Sequence, residues 1–223
     1  MTWKLGQTSR QYEVGSRGDA GTVSSGRGDY GGVSYGLYQM SSKQGTVGKF
    51  VDLYYKDFFK GTEPGTPEFS SRWKTLARED STFADKQHDF IKKTHYDPQI
   101  QNLKQRGIDL TQRGPAVQDA IWSTSVQFGG GTSIIRRALS RFNNINDVSD
   151  DKIIEAIQDY KIVNNSSLFR SSSSSVRKST LNRAKEEKES LLTLLKEQPQ
   201  PLIAALETIF DAFEEKGLTH RHT

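Results

Sequence analysis

The pattern of apolar positions changes along the chain, from an irregular N-terminal stretch to a helical period. From Thr46 onward, apolar residues recur at intervals of three and four, which places them on one face of a helix. The clearest of these faces are Phe50, Val51, Leu53, Tyr54 and Phe58; then Phe69, Trp73, Leu76 and Ala77; then Phe83, Gln87, Phe90 and Ile91. The pattern therefore predicts that most of the chain is helical.

Prolines and glycines predict where several of these helices begin and end. Asp97-Pro98 is expected to end the helix that contains Phe90, because a proline disfavours helical geometry in the residue before it. Pro115 fits the first turn of another helix, which should stop at Gly129–Gly131. Further helices are predicted over residues 133–139, 150–160, 176–197 and 202–213.

The N-terminal stretch has a different character. Residues 13 to 48 contain ten of the 19 glycines, and each glycine costs a helix about 1 kcal/mol. A short helix over residues 10–14 followed by strands near 22–23 and 33–39, joined by tight turns, fits this composition. The predicted fold class is therefore α+β and mainly α-helical, with a small β-hairpin region at about residues 15–48.

A run of serines, Ser171–Ser175, divides the chain into a domain over residues 1–170 and C-terminal helices over residues 176–223. Such a run is typical of a linker, but it also suits a surface turn that leads into the next helix. We expect the C-terminal helices to pack on the same domain. Both interpretations of the serine run remain open from the sequence.

The composition limits the classes of function. The chain has no cysteine, so disulfides and thiolate metal sites are excluded, and its net charge of +4 suits an anionic polymer. The first residues lack the apolar stretch of a secretory signal, and no window approaches the roughly 20 apolar residues of a membrane span. We expect a protein made in the cytoplasm that needs another system to reach the periplasm or cell wall.

Carboxylates in the N-terminal stretch suggest hydrolysis of a glycosidic bond. That reaction needs one carboxylic acid to protonate the leaving oxygen, and a second carboxylate to activate water or stabilise the developing cation. Glu13 lies at the end of the first predicted helix, and Asp29 lies in a glycine-rich turn sixteen residues later. Asp19, in the preceding turn, is the alternative second carboxylate. Either aspartate could also simply cap its turn.

Two short motifs resemble the signatures of the lysozyme superfamily. They are Tyr12-Glu13-Val14-Gly15 and Tyr35-Gly36-Leu37-Tyr38-Gln39-Met40, and the turn over residues 28–36 is similar to the chitosanase loop that holds the second carboxylate. The wider pattern, over roughly residues 10–170, resembles lysozyme-like proteins of bacteriophages, prophages and bacterial secretion systems. The resemblance implies a two-lobed lysozyme-like fold.

The same resemblance implies roles for individual residues. Glu13 would be the general acid and Asp29 the general base or charge stabiliser, while Ser34, Tyr35, Tyr38 and Gln39 would bind substrate. Tyr35 and Tyr38 could instead be core aromatics of the small sheet. Carboxyl groups roughly 6.5–9.5 Å apart would invert the anomeric centre, and a separation of about 5 Å would retain it.

The expected function is cleavage of the β-1,4 glycan of bacterial peptidoglycan, as in a bacteriolytic muramidase or endolysin. Val14 replaces the serine that usually follows the glutamate in lytic transglycosylases, so the product could be a hydrolysed or an anhydro sugar. The alternatives are a chitosanase and a non-catalytic structural or adaptor domain. The expected partners are glycan strands and a carrier, either a phage tail or a secretion system. We expect no metal, cofactor or nucleic acid to be required.

Overall fold

The small sheet forms where the glycine-rich stretch predicts it. The structure, a computed structural model, describes residues 2–13, 18–26 and 31–197. Three short antiparallel strands, β1 (Val23–Ser24), β2 (Ser34–Tyr35) and β3 (Met40–Ser41), lie in the order β1-β2-β3. In the register, Tyr35 pairs with Val23 on one side and with Met40 on the other. The predicted strand over residues 33–39 is shorter than expected, because Gly36, at φ 78°, turns the chain after Tyr35.

Helices make up most of the remaining chain. A four-residue helix, α1 (Arg10–Glu13), precedes the sheet. After the sheet the chain forms α2 (Thr46–Tyr54), α3 (Pro67–Glu79), α4 (Phe83–Ile91), α5 (Asp97–Gln105), α6 (Pro115–Phe128), α7 (Ile134–Leu139), α8 (Asp150–Val163), α9 (Asn165–Leu168) and α10 (Ser174–Glu197). A π-helical turn at Lys92–Tyr96 joins α4 to α5, and a 3₁₀ turn lies at Ile145–Asp147.

The predicted end of a helix at Asp97-Pro98 is wrong. The chain continues through the π-helical turn, and Pro98 lies in the first turn of α5, whose residues were not predicted to be helical. Proline is tolerated there because the amide hydrogens of the first turn lack intrahelical partners in any helix. The π-helical turn therefore joins the two helices without a loop.

Two clusters of buried side chains define two lobes. The first is rich in aromatic rings, with Phe50 and Trp73 at its centre, and packs α2, α3 and α4 against the sheet. The second is aliphatic and joins α5, α6, α7, α8 and α10 around Ile121 and Ile153. Helix α6 serves both lobes, because Trp122 belongs to the first cluster and its neighbour Ile121 to the second. A mainly helical α+β fold with a small β region is therefore confirmed.

Helix α6 is buried on every side. Its residues from Ala116 to Ser125 are all buried, including the polar side chains of Asp119, Ser123 and Thr124. Buried polar groups need partners. Asp119 and Ser123 bond to other segments and so fix them to the central helix, whereas the Thr124 hydroxyl donates to the Ala120 carbonyl of α6 itself.

The C-terminal helix α10 packs on α8 and α6. Ala184 and Leu191 are buried, and the Gln158 side chain of α8 donates a hydrogen bond to the Ala184 carbonyl, 3.0 Å away. The last two serines of the serine run, Ser174 and Ser175, are the first residues of this helix. The predicted helix over residues 202–213 lies outside the described residues. Among those described, no helix combines the length and apolar character that a membrane span requires.

Candidate active site

Glu13 is positioned by a segment fixed to the central helix. Residues 2–9 run along α6, where the buried Asp119 carboxylate accepts hydrogen bonds from the Gly6 amide (2.8 Å) and the Thr8 hydroxyl (2.6 Å). The Thr8 amide and the Trp3 indole also donate to this carboxylate, at 3.3 and 3.2 Å. Helix α1 begins directly after this anchored segment and ends at Glu13. Asp119 therefore helps to hold the segment that leads into Glu13.

The environment of Glu13 suits a general acid. Its carboxyl accepts a hydrogen bond from the Ser9 hydroxyl at 2.9 Å, within the same short segment. Burial raises the pKa of Glu13 from 4.5 to about 7, and this effect outweighs the opposing influence of Ser9, Arg183 and the Trp122 indole. A carboxyl with this pKa is partly protonated near neutral pH and ionises readily when it gives up a proton.

A buried ion pair on α10 lies next to Glu13. The Arg183 guanidinium donates to Glu187 at 2.5 Å, and Glu187, which is 1% exposed, also accepts from the Ser123 hydroxyl at 2.5 Å. Arg183 lies 5.0 Å from the centre of the Tyr12 ring, and the Tyr12 hydroxyl donates to Glu186 at 2.7 Å. The charge of Arg183 lowers the pKa of Glu13 and that of Glu187 raises it. The C-terminal helix is therefore part of the site.

Tyr38 and Gln39 lie in the turn between β2 and β3, and Tyr38 lies near Glu13. The Tyr38 ring packs 6.1 Å from the Trp122 ring, and the charge of Glu13 contributes to a raised pKa of the Tyr38 hydroxyl, after burial. Gln39 is exposed, adopts a left-handed φ of 52°, and accepts a 3.4 Å hydrogen bond from Ser24. Both residues are accessible enough to contact a ligand.

A groove of about 1170 Å³ begins next to this turn. Its lining includes Arg10, one helical turn before Glu13, together with Tyr38, His88, Trp3 and Lys4. Glu13 itself does not line this groove. Two residues near Glu13 do: Arg10 on the same helix, and Tyr38. The lining combines aromatic rings with charged side chains, so it offers a ligand both apolar and polar contacts.

Ser34 and Tyr35 lie in the interior of the first lobe. Tyr35 is fully buried against Phe69 and Trp73, and its hydroxyl bonds to Ser70 at 2.8 Å and accepts from the Gly65 amide at 3.0 Å. These are the contacts of a core aromatic residue. Ser34 is also buried, with 7% of its surface exposed, in an antiparallel strand. Residues 32–36 match the G-x-S-x-G motif of serine hydrolases. That motif places its serine in a strand-to-helix turn, which is not where Ser34 lies.

Of the two candidates for the second carboxylate, Asp19 lies within the described residues and Asp29 does not. Asp19 caps its own turn: its side chain accepts from the Gly21 amide at 2.8 Å, and its backbone amide donates to the Thr22 hydroxyl at 2.9 Å. Asp29 lies outside the described residues. Over residues 2–13, 18–26 and 31–197, no group of three histidine, aspartate or glutamate side chains is arranged to hold a metal ion.

Sequence reasoning did not find Asp119, Arg183 or Glu187. Each is an ordinary charged residue in a helical pattern, and its importance comes from burial. The one available signal was Asp119 itself, a charged residue on a helix that is otherwise apolar or neutral between Pro115 and Phe128.

Comparison with solved structures defines the class of fold. The crystal structure of native chitosanase from Bacillus subtilis MY002 superimposes with a TM-score of 0.56 at 15% identity, covering 85% of this chain and 86% of the chitosanase. A glutamate-to-alanine mutant of chitosanase from the same strain, complexed with 6 GlcN, gives a TM-score of 0.55 at 15% identity over the same shares of the two chains. The fold is therefore the lysozyme-like fold that chitosanases share.

Sequence comparison then gives the family. The family described as type VI secretion system spike protein VgrG3-like, C-terminal, matches residues 5–188, and the chain belongs to it. The type VI secretion system spike protein VgrG3 of Vibrio cholerae serotype O1 (strain ATCC 39315 / El Tor Inaba N16961) is 49% identical over 174 residues. The match covers 77% of this chain but only 17% of that relative.

Proposed function

We propose that this domain is a glycoside hydrolase that cleaves the β-1,4 glycan of bacterial peptidoglycan, with Glu13 as its general acid. The observation that carries the proposal is the half-buried carboxyl of Glu13, whose pKa is raised to about 7 and whose neighbours Arg10 and Tyr38 line a groove. An acid with a pKa near the working pH transfers its proton most effectively. The proton passes from Glu13 to the glycosidic oxygen as the bond from that oxygen to the anomeric carbon breaks.

Asp29 is the proposed second carboxylate. It would accept a proton from the water that attacks the anomeric carbon, or stabilise positive charge there. Asp19 is a weaker candidate because its carboxylate is already engaged in capping a turn. Tyr38 and Gln39 are the proposed substrate contacts, since Tyr38 lies near Glu13, Gln39 is its neighbour in the same turn, and neither is fully buried. Ser34 and Tyr35 support the site from the interior.

The family suggests how the domain reaches its substrate. The relatives are named as secretion-system spike proteins, which favours a secretion-system carrier over a phage tail. We propose that the domain acts in the periplasm or cell wall of a cell into which the spike delivers it. A role as a non-catalytic adaptor of the spike is the alternative if Glu13 proves dispensable.

The test is digestion of purified peptidoglycan by the wild type and by Glu13→Gln. We expect loss of turbidity with the wild type only, and mass spectrometry of the released fragments should show reducing ends. Anhydro ends would identify a lytic transglycosylase. Asp29→Asn should lower the rate strongly if Asp29 is the second carboxylate. Digestion by Glu13→Gln at the wild-type rate would reject Glu13 as the acid.

A chitosanase activity is the second candidate, because both solved structures reported above are chitosanases. The net charge of +4 disfavours a cationic glucosamine polymer as substrate. The same two proteins should therefore be incubated with chitosan. Cleavage of chitosan but not peptidoglycan by the wild type would assign the chitosanase reaction in place of the proposed one.

A further inference from the structure

The central helix carries a buried donor without a partner. Trp122 of α6 is fully buried, yet its indole N–H makes no hydrogen bond within the part of the chain that the structure describes. Leaving a buried donor unpaired costs free energy, so such groups in folded proteins call for an explanation. The other fully buried tryptophan, Trp73, shows the usual arrangement, since its indole N–H donates to the Ala20 carbonyl at 2.9 Å.

The orientation of the Trp122 indole is fixed from several sides. The His88 ring stacks on it at 4.6 Å with an interplanar angle of 14°, and the Nε2 atom of His88 lies 2.8 Å from the Leu5 carbonyl oxygen. Gly6 approaches so closely that a Cβ atom there would lie 2.6 Å from the indole nitrogen. The ring therefore cannot turn toward another acceptor without disturbing the anchored N-terminal segment.

The Glu13 carboxyl is the acceptor near this N–H. The indole favours the ionised form of Glu13 and so lowers its pKa, although the contact does not meet the geometry of a hydrogen bond. The Ser9 hydroxyl already bonds to one carboxyl oxygen. Among the described residues, Arg183 and Glu187 from α10 act on Glu13, and Glu13 acts on Tyr38 from the turn after β2. Arg10, on the same helix as Glu13, also acts on Tyr38.

We propose that Trp122 is a positioning residue for Glu13. Its indole N–H donates a hydrogen bond to the carboxylate that forms when Glu13 gives its proton to the leaving oxygen. The inference rests on the proposed role of Glu13 as general acid. While Glu13 is protonated, the N–H lacks a strong acceptor. When Glu13 ionises, the N–H gains a charged acceptor, and hydrogen bonds to charged groups are the stronger ones. A donor placed in advance stabilises charge where it develops, without reorganisation.

The direct test follows the indole signals by NMR and needs no change at Trp122. The chain has three tryptophans, and a ¹⁵N-labelled sample reports each indole N–H separately. We expect the Trp122 indole proton to move downfield as the pH rises through about 7 in the wild type, and to stay in place in Glu13→Gln. The Trp73 signal, bonded to a neutral carbonyl, is the internal control. A Trp122 signal that does not follow the ionisation of Glu13 would overturn the proposal.

A matched pair of variants then tests the effect on the acid. In Trp122→Phe, the pKa of Glu13, measured from its ¹³C-labelled carboxyl, should rise by about one pH unit, as loss of a hydrogen bond to a charged group predicts. Trp73→Phe should leave that pKa unchanged although it also alters the core. If the wild type cleaves peptidoglycan, the apparent pKa of the alkaline limb of the pH–rate profile should be higher in Trp122→Phe by the same amount. An unchanged pKa in folded Trp122→Phe would refute the positioning role; lack of cleavage by the wild type would instead reject only the proposed reaction.

Discussion

Replacing Lys161 with methionine should stabilise the protein near neutral pH. Lys161 of α8 is 3% exposed, and its ammonium has no hydrogen-bond partner among the described residues. Burial lowers the pKa of Lys161 from 10.5 to about 8, although the nearby carboxylate of Glu187 favours the charged form. The charged form is therefore less favourable in the folded protein than in the unfolded chain. Methionine fills a similar volume without a charge.

The magnitude follows from the two pKa values. Below about pH 8 the lysine is charged in both states, and the folded state bears the full cost of burying it. The difference between 10.5 and about 8, at 1.36 kcal/mol for each pH unit, gives roughly 3 kcal/mol. As the pH rises from about 8 to 10.5, the folded protein loses the proton first and the cost disappears. The difference in free energy of unfolding between Lys161→Met and the wild type should therefore shrink over this range.

The assay is urea unfolding of the wild type and Lys161→Met at pH 7 and at intervals up to pH 10.5. We expect the variant to be more stable by up to roughly 3 kcal/mol at pH 7, with the difference shrinking as the pH rises. Lys152→Met, on the exposed side of the same helix, is the control and should change little at any pH. A Lys161→Met protein less stable than the wild type at pH 7, or a gain independent of pH, would refute the reasoning.

Three further changes test the site and its support. Asp119→Ala should cost at least about 2 kcal/mol of unfolding free energy, because four donors lose their acceptor, and limited proteolysis should then cut within residues 2–9. Gly6→Ala should cost about 1–3 kcal/mol in urea unfolding, from its φ of 87° and the clash with the central helix, whereas Gly131→Ala, which faces open space, should be nearly neutral. Glu13→Gln should be more stable than the wild type at pH 8 and equally stable at pH 4. The pKa of Glu13 is about 7 in the folded protein and 4.5 in the unfolded chain, so wild-type stability falls as the pH rises between these values. Equal stability of these two proteins at pH 8 would argue against a perturbed Glu13.

The sequence predicted more of the fold than of the site. Helical periodicity located α2, α3 and α4 because one face of each is apolar, and Pro115 and Gly129–Gly131 located α6. The glycines of the N-terminal stretch located the β region because they exclude a continuous helix. Pro98 was misinterpreted because a proline has the same local preference at the end of one helix and in the first turn of the next. Only the structure, in which a π-helical turn runs directly into α5, decided between the two.

Within the site, the sequence by itself determined the identity of the candidate acid, Glu13, through its place before a glycine-rich turn and the motif that contains it. The tertiary structure alone decided that its pKa is raised, that Tyr35 is a core residue while Tyr38 is not, and that Asp119, Arg183 and Trp122 surround or support it. The physical reason is that burial and charge are properties of neighbours in space. Apart from Ser9, the described side chains that act on Glu13 are Trp122, Arg183 and Glu187. These lie more than a hundred positions away from it, on helices whose sequence pattern reports only which face is apolar.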